Sequence, residues 1–361
     1  MKITALRTAM VEIPIEPPLK TSIHQIGSVG CVLVFLDTDE GITGEGYAFT
    51  LSAERLDVID ALVKSLAHVV VGRDPFDVEA IWRGMWNDIH FVGRAGLTNF
   101  AMAAIDTACW DIVGKAMDKP LYKIFGGCRD KIKTYASGGL WLSLSIDELV
   151  VEAKGFIDQG FRAMKARLGK PCIEEDVERI AAVRAAIGSN IDLMADANQG
   201  LTVDHAIRLG RKLEAFNLVW FEEPVPTHDH EGHAMIAAVL DTPIASGETE
   251  YTHQGIKRMI DAKAADILMP DLQRMAGLTE FRKVAALAEA HDLPISPHIF
   301  SEQSLAIAGS APNCTYLEYM PWFEPLYNET MAVEDGMVAM PDRPGVGFTF
   351  DMDAVERYRI G

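Results

Sequence analysis

The chain has 361 residues, 49% of them hydrophobic, which is enough to bury one large core and a smaller second domain. Its formal net charge of -19 at pH 7 disfavours nucleic acid and anionic membranes as partners. The five cysteines form no CxxC pair, no signal peptide is recognisable, and no segment is apolar for long enough to cross a membrane. These features predict a cytoplasmic protein.

The first 125 residues read as an α+β domain. Residues 1 to about 50 alternate apolar and polar side chains between turn signals, which predicts an antiparallel meander. The segment Pro17–Gln25 is too irregular for a strand, and we expect either a lid or an ordinary surface loop there. Helical periodicity follows over residues 53–71, 77–86 and 97–115, and these helices would pack on the meander.

A βα repeat follows. Asp196, Glu222 and Glu248 each end a short apolar run, and both intervals between them are 26 residues, enough for one loop, one helix and the next strand. Several such units predict a (β/α)8 barrel, and eight strand candidates lie after residue 130. The Gly- and Pro-rich tail cannot be another βα unit, so we expect it to pack on the first domain. The predicted domains are 1–125, 126–330 and 331–361.

The three acids at the strand ends predict a metal site. The carboxyl ends of parallel barrel strands meet at one mouth, where close like charges are unfavourable unless a cation joins them. Carboxylate oxygens with room for water suit Mg2+. Any one of these acids alone would be interpreted as a helix N-cap or a loop residue. Three acids at matched strand-end positions favour a metal site. A rival zinc signal, His228 to His233, fits no usual spacing, and Asp229 would cap the next helix.

Two further strand ends carry groups suited to proton transfer. Asp271 and His298 end the sixth and seventh barrel strands, and a carboxylate on one ring nitrogen leaves the other free to take a proton. The alternative is that His298 is a packing residue. Lys165 and Arg167 are two residues apart on a strand, so both face the mouth, across from His298.

These residues resemble the enolase superfamily, and within it the mandelate racemase/muconate lactonizing enzyme family, over essentially the whole chain. The resemblance implies an α/β fold, a modified (β/α)8 TIM barrel with an N-terminal α+β capping domain completed by the C-terminal tail. Loops after the fourth strand and near Arg343 look most like galactarate/talarate dehydratases. The motifs are Ala104-Ile105-Asp106, Trp110 to Lys115, Pro120-Leu121, Lys165-Ala166-Arg167, Asp196-Ala197-Asn198, Glu222-Glu223-Pro224, Gly247-Glu248, Met269-Pro270-Asp271, Pro297-His298 and Leu317-Glu318.

The resemblance implies chemistry that begins by removing the proton α to a carboxylate, giving an enediolate stabilised on Mg2+. Glu318 would hydrogen-bond the substrate carboxylate, best if protonated, and Glu223 would support the metal site. The expected metal ligands are Asp196, Glu222 and Glu248. The expected catalytic residues are His298, Asp271, Lys165, Arg167 and Glu318. The expected substrate contacts are Asn198, Lys20, His24 and Arg94.

Arg167 departs from the family pattern, which usually has lysine at this position as a second base. A guanidinium stays charged and cannot serve as an ordinary base, so the departure weakens a two-base racemase and favours one-sided chemistry from His298. Arg167 and Lys165 would then hold a carboxylate or hydroxyl. Lys165 could still act as a base if crowding by Arg167 lowers its pKa.

The resemblance favours an acid-sugar dehydratase that removes the 3-hydroxyl and yields a 2-keto-3-deoxy acid, from a small carboxylate such as a galactarate-like diacid. One alternative keeps the enediolate but racemises or epimerises a 2-hydroxy acid, or isomerises an aldarolactone. Another is a barrel that binds sugar acids without turnover. The family also suggests a homo-oligomer.

Overall fold

The computed structural model describes residues 1–361. Its N-terminal domain is a three-stranded antiparallel sheet in the order β1-β2-β3, packed against helices. The strands are β1 (Ile3–Lys20), β2 (Gln25–Thr38) and β3 (Thr43–Leu51). The helices are α1 (Leu56–Ser65), α2 (Ala67–Val70), α3 (Val78–Asp88), α4 (Leu97–Ala116) and α5 (Leu121–Ile124).

Helix α4 is the centre of this domain and is buried on nearly all sides. It lies directly on β3, where two glycines let the backbones approach closely. A Cβ added at Gly44 would collide with the Ala108 carbonyl oxygen, and one at Gly46 with that of Ala104. The small side chains of both elements therefore set the distance between helix and sheet.

The expected loop at Pro17–Gln25 is largely a strand, so that expectation was wrong. Strand β1 runs to Lys20, and pairing with β2 resumes at Leu19 and Lys20 after an irregularity that begins at Pro14. The irregularity accommodates the prolines, because they lack the N–H that a regular ladder needs. Only the hairpin tip, Thr21–His24, is a turn.

The second domain is a closed barrel. Strands β4 to β9 pair in parallel in chain order, and β10 pairs with β4, which closes the ring. The seventh position is held by bridges from Ile295 to Leu268 and Cys314 rather than by a continuous strand. The strands are β4 (Lys131–Ala136), β5 (Ala163–Arg167), β6 (Asp192–Asp196), β7 (Phe221–Glu222), β8 (Ile244–Ser246), β9 (Ile267–Leu268) and β10 (Leu317–Tyr319).

Helices surround the barrel, and large side chains such as Tyr135, Met194 and Trp220 pack together in a small separate core. None of the helices is long and apolar enough to cross a membrane. The barrel helices are α6 (Ile146–Asp158), α7 (Ile173–Ile187), α8 (Val203–Leu213), α9 (His230–Ala237), α10 (Thr252–Ala262), α11 (Leu278–Glu289) and α12 (Ser301–Ala308).

The C-terminal tail joins both domains. Its first part, β11 (Val333–Glu334) and β12 (Met337–Ala339), forms a hairpin that pairs antiparallel with β4, so this part stays with the barrel. The rest crosses to the N-terminal domain and ends in α13 (Met352–Tyr358). There the backbone N–H of Phe350 donates to Glu45 Oε2 at 2.8 Å.

Asp111 joins helix α4 to strand β3 and to the C-terminal tail. This buried α4 carboxylate accepts hydrogen bonds from the backbone N–H groups of Glu45 (3.0 Å) and Val346 (2.9 Å), and pairs with Lys115 at 2.6 Å. We expect Asp111→Ala to lower the free energy of unfolding by about 3 kcal/mol, because it leaves buried donors without an acceptor. Urea unfolding measures this. The exposed Asp158→Ala is the control, and equal losses would contradict the assignment.

We expect the buried carboxyl group of Glu302 to make the free energy of unfolding depend on pH. It is buried on α12, its Oε2 has no hydrogen-bond partner, and burial raises its pKa from 4.5 to about 7. Between these values the folded chain keeps a proton that the unfolded chain loses, so stability falls as the pH rises through this window, by up to about 3 kcal/mol. We expect Glu302→Gln to remove this part of the dependence in urea unfolding at pH 5 and pH 8. Parallel curves for wild type and variant would contradict it, and the exposed Glu289→Gln is the control.

Candidate active site

A cavity of about 500 Å3 opens at the carboxyl ends of the barrel strands. The N-terminal domain covers it with the hairpin tip and with the residues that end β3. Ser22 in the tip donates through Oγ to the Ala197 carbonyl oxygen at 2.6 Å, which attaches the tip to the barrel. The barrel residues lining the cavity include Lys165, Arg167, Asp196, Glu248, His298 and Glu318.

His298 and Asp271 come together at the ends of neighbouring barrel segments. The two residues form a parallel bridge, and His298 Nδ1 lies 2.8 Å from Asp271 Oδ2. If Nδ1 carries the proton that it donates to Asp271, then Nε2 is the nitrogen left free for a substrate. His298 Nε2 lies 3.4 Å from Glu248 Oε2, within the ring of strand-end acids.

The charge of His298 depends on these acids. Burial alone would lower its pKa, but Glu248 and the hydrogen bond to Asp271 raise it to about 9. These neighbours favour the protonated ring. A cation held by Glu248 would oppose that charge and so favour the neutral ring that a base requires.

Lys165 is fully buried among carboxylates. Its Nζ lies 2.6 Å from Glu222 Oε1, 3.0 Å from Glu318 Oε1 and 3.6 Å from Asp196 Oδ2. Burial would lower the pKa of Lys165, but Glu222 and Glu318 raise it well above its ordinary value. Arg167 does lower the pKa of Lys165, but the two carboxylates outweigh it, so the contacts do not favour Lys165 as a base. Here Lys165 is a charged donor.

Glu318 is an acceptor at the centre of the site. Ser137 Oγ and the backbone N–H of Ile299 each donate to it at 2.6 Å. Burial would raise its pKa, but Lys165 and His298 hold it well below its usual value. The sequence predicts that Glu318 works best when protonated. The surrounding donors and cations instead favour the ionised carboxylate.

Arg167 is held in place from two sides. Its Nη2 donates to Ser137 Oγ at 3.0 Å and to the Ser137 carbonyl oxygen at 3.3 Å. Its guanidinium lies 4.7 Å from the centre of the Trp141 ring, a cation–π contact. Its Nη1 is 3.6 Å from Asp196 Oδ2.

The three strand-end acids fit a hard divalent cation by their chemistry. Glu222 is fully buried, and burial together with Asp196, Glu318 and Glu248 raises its pKa to about 8, although Lys165 opposes this. Such crowding of negative charge favours a bound cation, and oxygen donors suit Mg2+. In the structure Lys165 contacts Glu222 and Asp196, and His298 contacts Glu248.

The loops after the strands support these acids. The backbone N–H of Asn198 donates to Asp196 Oδ1 at 2.7 Å, and its Nδ2 donates to Asp196 Oδ2 at 3.0 Å. Asn198 Oδ1 is buried without a partner and lines the same cavity as Asp196. Glu223 accepts from Gln199 Nε2 at 2.9 Å, so it is held beside the acids without lining the cavity.

The side chains of the histidine-rich segment after β7 have separate partners in the structure. Asp229 caps α9 by accepting from the Gly232 backbone N–H at 2.8 Å, as the sequence predicts. His230 Nε2 contacts Glu250 Oε1 at 2.8 Å, and His233 is buried beside Asp229.

Two of the expected substrate contacts lie elsewhere, which corrects the prediction. Lys20 is exposed and does not line the cavity, and the Arg94 side chain instead packs on the Trp86 ring, 4.7 Å from its centre. Of the predicted N-terminal contacts, His24 does line the cavity. The charge of a loop residue does not predict where it lies, because the packing of the two domains determines which loops face the cavity.

The cavity has other polar and aromatic groups that sequence reasoning missed. Arg274 follows Asp271 by three residues and has its Nη1 3.4 Å from Asp271 Oδ2, so its position just after a strand end was a usable signal. Trp141 and Trp322 have nearly parallel rings with centres 6.2 Å apart. Gln273 and Arg55 also line the cavity. Arg55 and Trp322 lie in loops whose direction no local pattern reveals.

The chain matches two family models and several characterised proteins along nearly all of its length. A model described as the mandelate racemase/muconate lactonizing enzyme N-terminal domain matches residues 3–126, and one described as enolase C-terminal domain-like matches residues 148–354. The 3,6-anhydro-alpha-L-galactonate cycloisomerase of Streptomyces coelicolor is 36% identical over 361 residues, covering 99% of this chain and 100% of the relative.

The L-talarate/galactarate dehydratase of Salmonella typhimurium is 35% identical over 326 residues, 90% of this chain and 82% of the relative. A crystal structure of L-talarate dehydratase from Polaromonas sp. JS666, complexed with Mg and L-glucarate, superimposes with a TM-score of 0.93 at 34% identity, covering 100% of this chain and 98% of that one. The barrel with its N-terminal α+β domain and these matches show that the chain belongs to the mandelate racemase/muconate lactonizing enzyme family of the enolase superfamily.

Proposed function

We propose that the chain catalyses Mg2+-dependent elimination from an acid sugar, with dehydration to a 2-keto-3-deoxy acid as the first candidate. The observation that carries the proposal is the pair His298 and Asp271, 2.8 Å apart, facing the same cavity as Lys165, Arg167 and the strand-end acids. The related dehydratases, and the bound L-glucarate in one of the similar structures, support an acid-sugar substrate.

In this reaction Asp271 orients the imidazole, and His298 Nε2 takes the proton α to the carboxylate. Mg2+ bound by Asp196, Glu222 and Glu248 would supply positive charge that polarises the substrate carboxylate as negative charge grows on it. Lys165 would donate a hydrogen bond to an oxygen of the substrate carboxylate. Its contacts with Glu222 and Glu318 keep its ammonium group charged. His298 can return its proton to the leaving hydroxyl in a syn elimination.

A second candidate is cycloisomerisation, in which a ring oxygen leaves in place of a hydroxyl. It is favoured by Arg167, which offers charge to a leaving oxygen without being a base, and by the full-length similarity to a cycloisomerase. Racemisation needs a second base opposite His298, and Arg167 argues against it. A barrel that only binds sugar acids needs no base, so the His298–Asp271 pair argues against this alternative.

Incubation with Mg2+ and pooled mono- and diacid sugars in D2O, followed by NMR of the α protons, tests the proposal. Loss of an α-proton signal together with new 3-deoxy resonances is the expected result. Exchange without elimination would indicate a racemase or epimerase. Unchanged spectra for all acids, despite binding, would contradict an enzymatic role and favour the binding barrel. Cytoplasmic location and a homo-oligomeric state remain predictions.

A further inference from the structure

The hydrogen bond between His298 and Asp271 requires the carboxylate to keep one orientation. The Cβ–Cγ torsion of an aspartate has only a broad preferred range, so neighbouring groups must fix the plane of its carboxylate. Asp271 is fully buried, and its Oδ2 lies 2.8 Å from His298 Nδ1. The orientation of the imidazole ring therefore depends on what else holds this carboxylate.

Arg274 contacts both oxygens of Asp271. Its backbone N–H donates to Oδ1 at 2.9 Å, and its Nη1 lies 3.4 Å from Oδ2. Nη1 has no hydrogen-bond partner, so the guanidinium acts on Oδ2 through its charge. A buried carboxylate is unfavourable without a compensating charge, and Arg274 supplies one beside the oxygen that faces His298.

The N-terminal domain holds Arg274 in this place. Asn99, buried on helix α4, donates through Nδ2 to the Arg274 carbonyl oxygen at 3.1 Å. The ring centre of the next residue, Phe100, lies 5.9 Å from the Arg274 guanidinium, a cation–π contact. One residue earlier in the barrel segment, Gln273 Oε1 accepts from the backbone N–H of Phe49 in β3 at 3.1 Å. The segment after the barrel strand is thus attached to the domain that covers the cavity.

Binding of the substrate is the alternative role for Arg274, because its side chain lines the cavity. The contacts favour positioning instead. The main chain and the side chain of Arg274 both face Asp271, and Phe100 packs on the guanidinium. These groups all belong to the protein, so they fix Arg274 before any substrate arrives.

We propose that Arg274 is a positioning residue that holds the Asp271 carboxylate in the plane facing His298 Nδ1. The N-terminal domain, through Asn99 and Phe100, fixes Arg274 in that place. This inference rests on the proposed elimination, in which His298 is the base. It gives the domain that covers the cavity a part in orienting that base.

An NMR measurement of the His298 ring tests this without substrate. The Mg2+-loaded full chain, with 15N in its ten histidines, should show a low-field proton on His298 Nδ1, assigned by its absence in His298→Asn. We expect Arg274→Met to shift this signal upfield or abolish it, because the charge beside Oδ2 is lost. Arg274→Lys keeps a charge there and should retain the signal. The exposed Arg208→Met is the matched control.

Two results of this measurement would overturn the inference, whatever the turnover of the enzyme. One is an unchanged Nδ1 signal in Arg274→Met. The other is a wild type without the signal, because the hydrogen bond that Arg274 is proposed to orient would then be absent.

The rate of α-proton exchange in D2O, with Mg2+ and the best acid sugar, is the second readout. We expect Arg274→Met to lower kcat for exchange by about 10- to 100-fold, with KM changed by less than about 2-fold. In an Asp271→Asn background the same substitution should cost less than about 3-fold, because the carboxylate that it positions is gone. Equal losses in both backgrounds would overturn the inference. A raised KM at unchanged kcat would also overturn it, by placing Arg274 in substrate binding.

Asn99→Ala tests the link to the N-terminal domain. The Arg274 carbonyl oxygen loses its donor, so we expect a smaller fall in kcat than in Arg274→Met, and no further fall when the two are combined. Thr98→Ala is the control, since Thr98 bonds to Gly93 on the same helix end. Additive losses would overturn the link. If wild type exchanges no α proton with any acid, the proposed elimination fails, whereas the Nδ1 signal still decides the role of Arg274.

Discussion

Replacing His298 with Asn is expected to abolish turnover, with a loss of at least about 10^3-fold, because the side chain keeps its approximate size but can no longer take a proton. The substituted side chain can still hydrogen-bond Asp271, which His298 contacts at 2.8 Å, so the fold should be kept. The measurement is α-proton exchange in D2O with Mg2+ and the best substrate. Since exchange precedes departure of the leaving group, it should fall together with product formation.

Asp271→Asn tests the other half of the pair. It keeps a hydrogen-bonding group beside Nδ1 but removes the charge that stabilises the imidazolium, so we expect a smaller loss than in His298→Asn. His291→Asn, at an exposed position, should leave both rates unchanged. If His298→Asn retained α-proton exchange, another residue would be the base, and the assignment of His298 would be wrong.

Mg2+ is expected to stabilise the wild type against heat, and Glu222→Gln should remove that effect. Binding to the folded chain alone contributes about 2.7 kcal/mol at a concentration 100 times the dissociation constant. Burial and the neighbouring carboxylates raise the pKa of Glu222 to about 8, and a cation bound there would favour its ionised form. The readout is the shift in Tm with Mg2+, which needs no substrate.

The design of this test separates metal binding from general damage. Only the Mg2+-dependent difference in Tm is compared, so a change in stability without metal does not affect the conclusion. Asp204→Asn, an exposed acid on α8, should keep the full shift. An equal Mg2+ shift in wild type and Glu222→Gln would show that the cation binds elsewhere. Asp196→Asn should behave like Glu222→Gln.

The positions of the three strand-end acids and of the His298–Asp271 pair illustrate what local pattern can predict. Each acid ends a short apolar run, and parallel strands in a barrel must bring their carboxyl ends to one mouth. The position of Asp271 beside His298 follows from the same rule, because their strand ends are neighbours in chain order. Residues on the strands are therefore predictable from spacing.

The cations that line the cavity illustrate the opposite case. Lys20 and Arg94 were predicted as contacts, but Arg55 and Arg274 line the cavity instead. Side chains in loops do not follow a strand period, and their direction depends on how the N-terminal domain rests on the barrel. The hairpin that ends at Thr21–His24 is a further case, since its pairing crosses prolines that read locally as a loop.

The sequence by itself determined the fold class and the positions of the three strand-end acids and of the His298–Asp271 pair, because the βα period places every strand end at the same rim. Only the tertiary structure decided the state of those groups. Lys165 is held charged by Glu222 and Glu318, from strands far from it in the chain. Arg167 keeps unpaired donors because Ser137 and Trp141 occupy its other side. Charge state and free hydrogen-bonding capacity depend on neighbours brought together by long-range packing, which residue spacing does not encode.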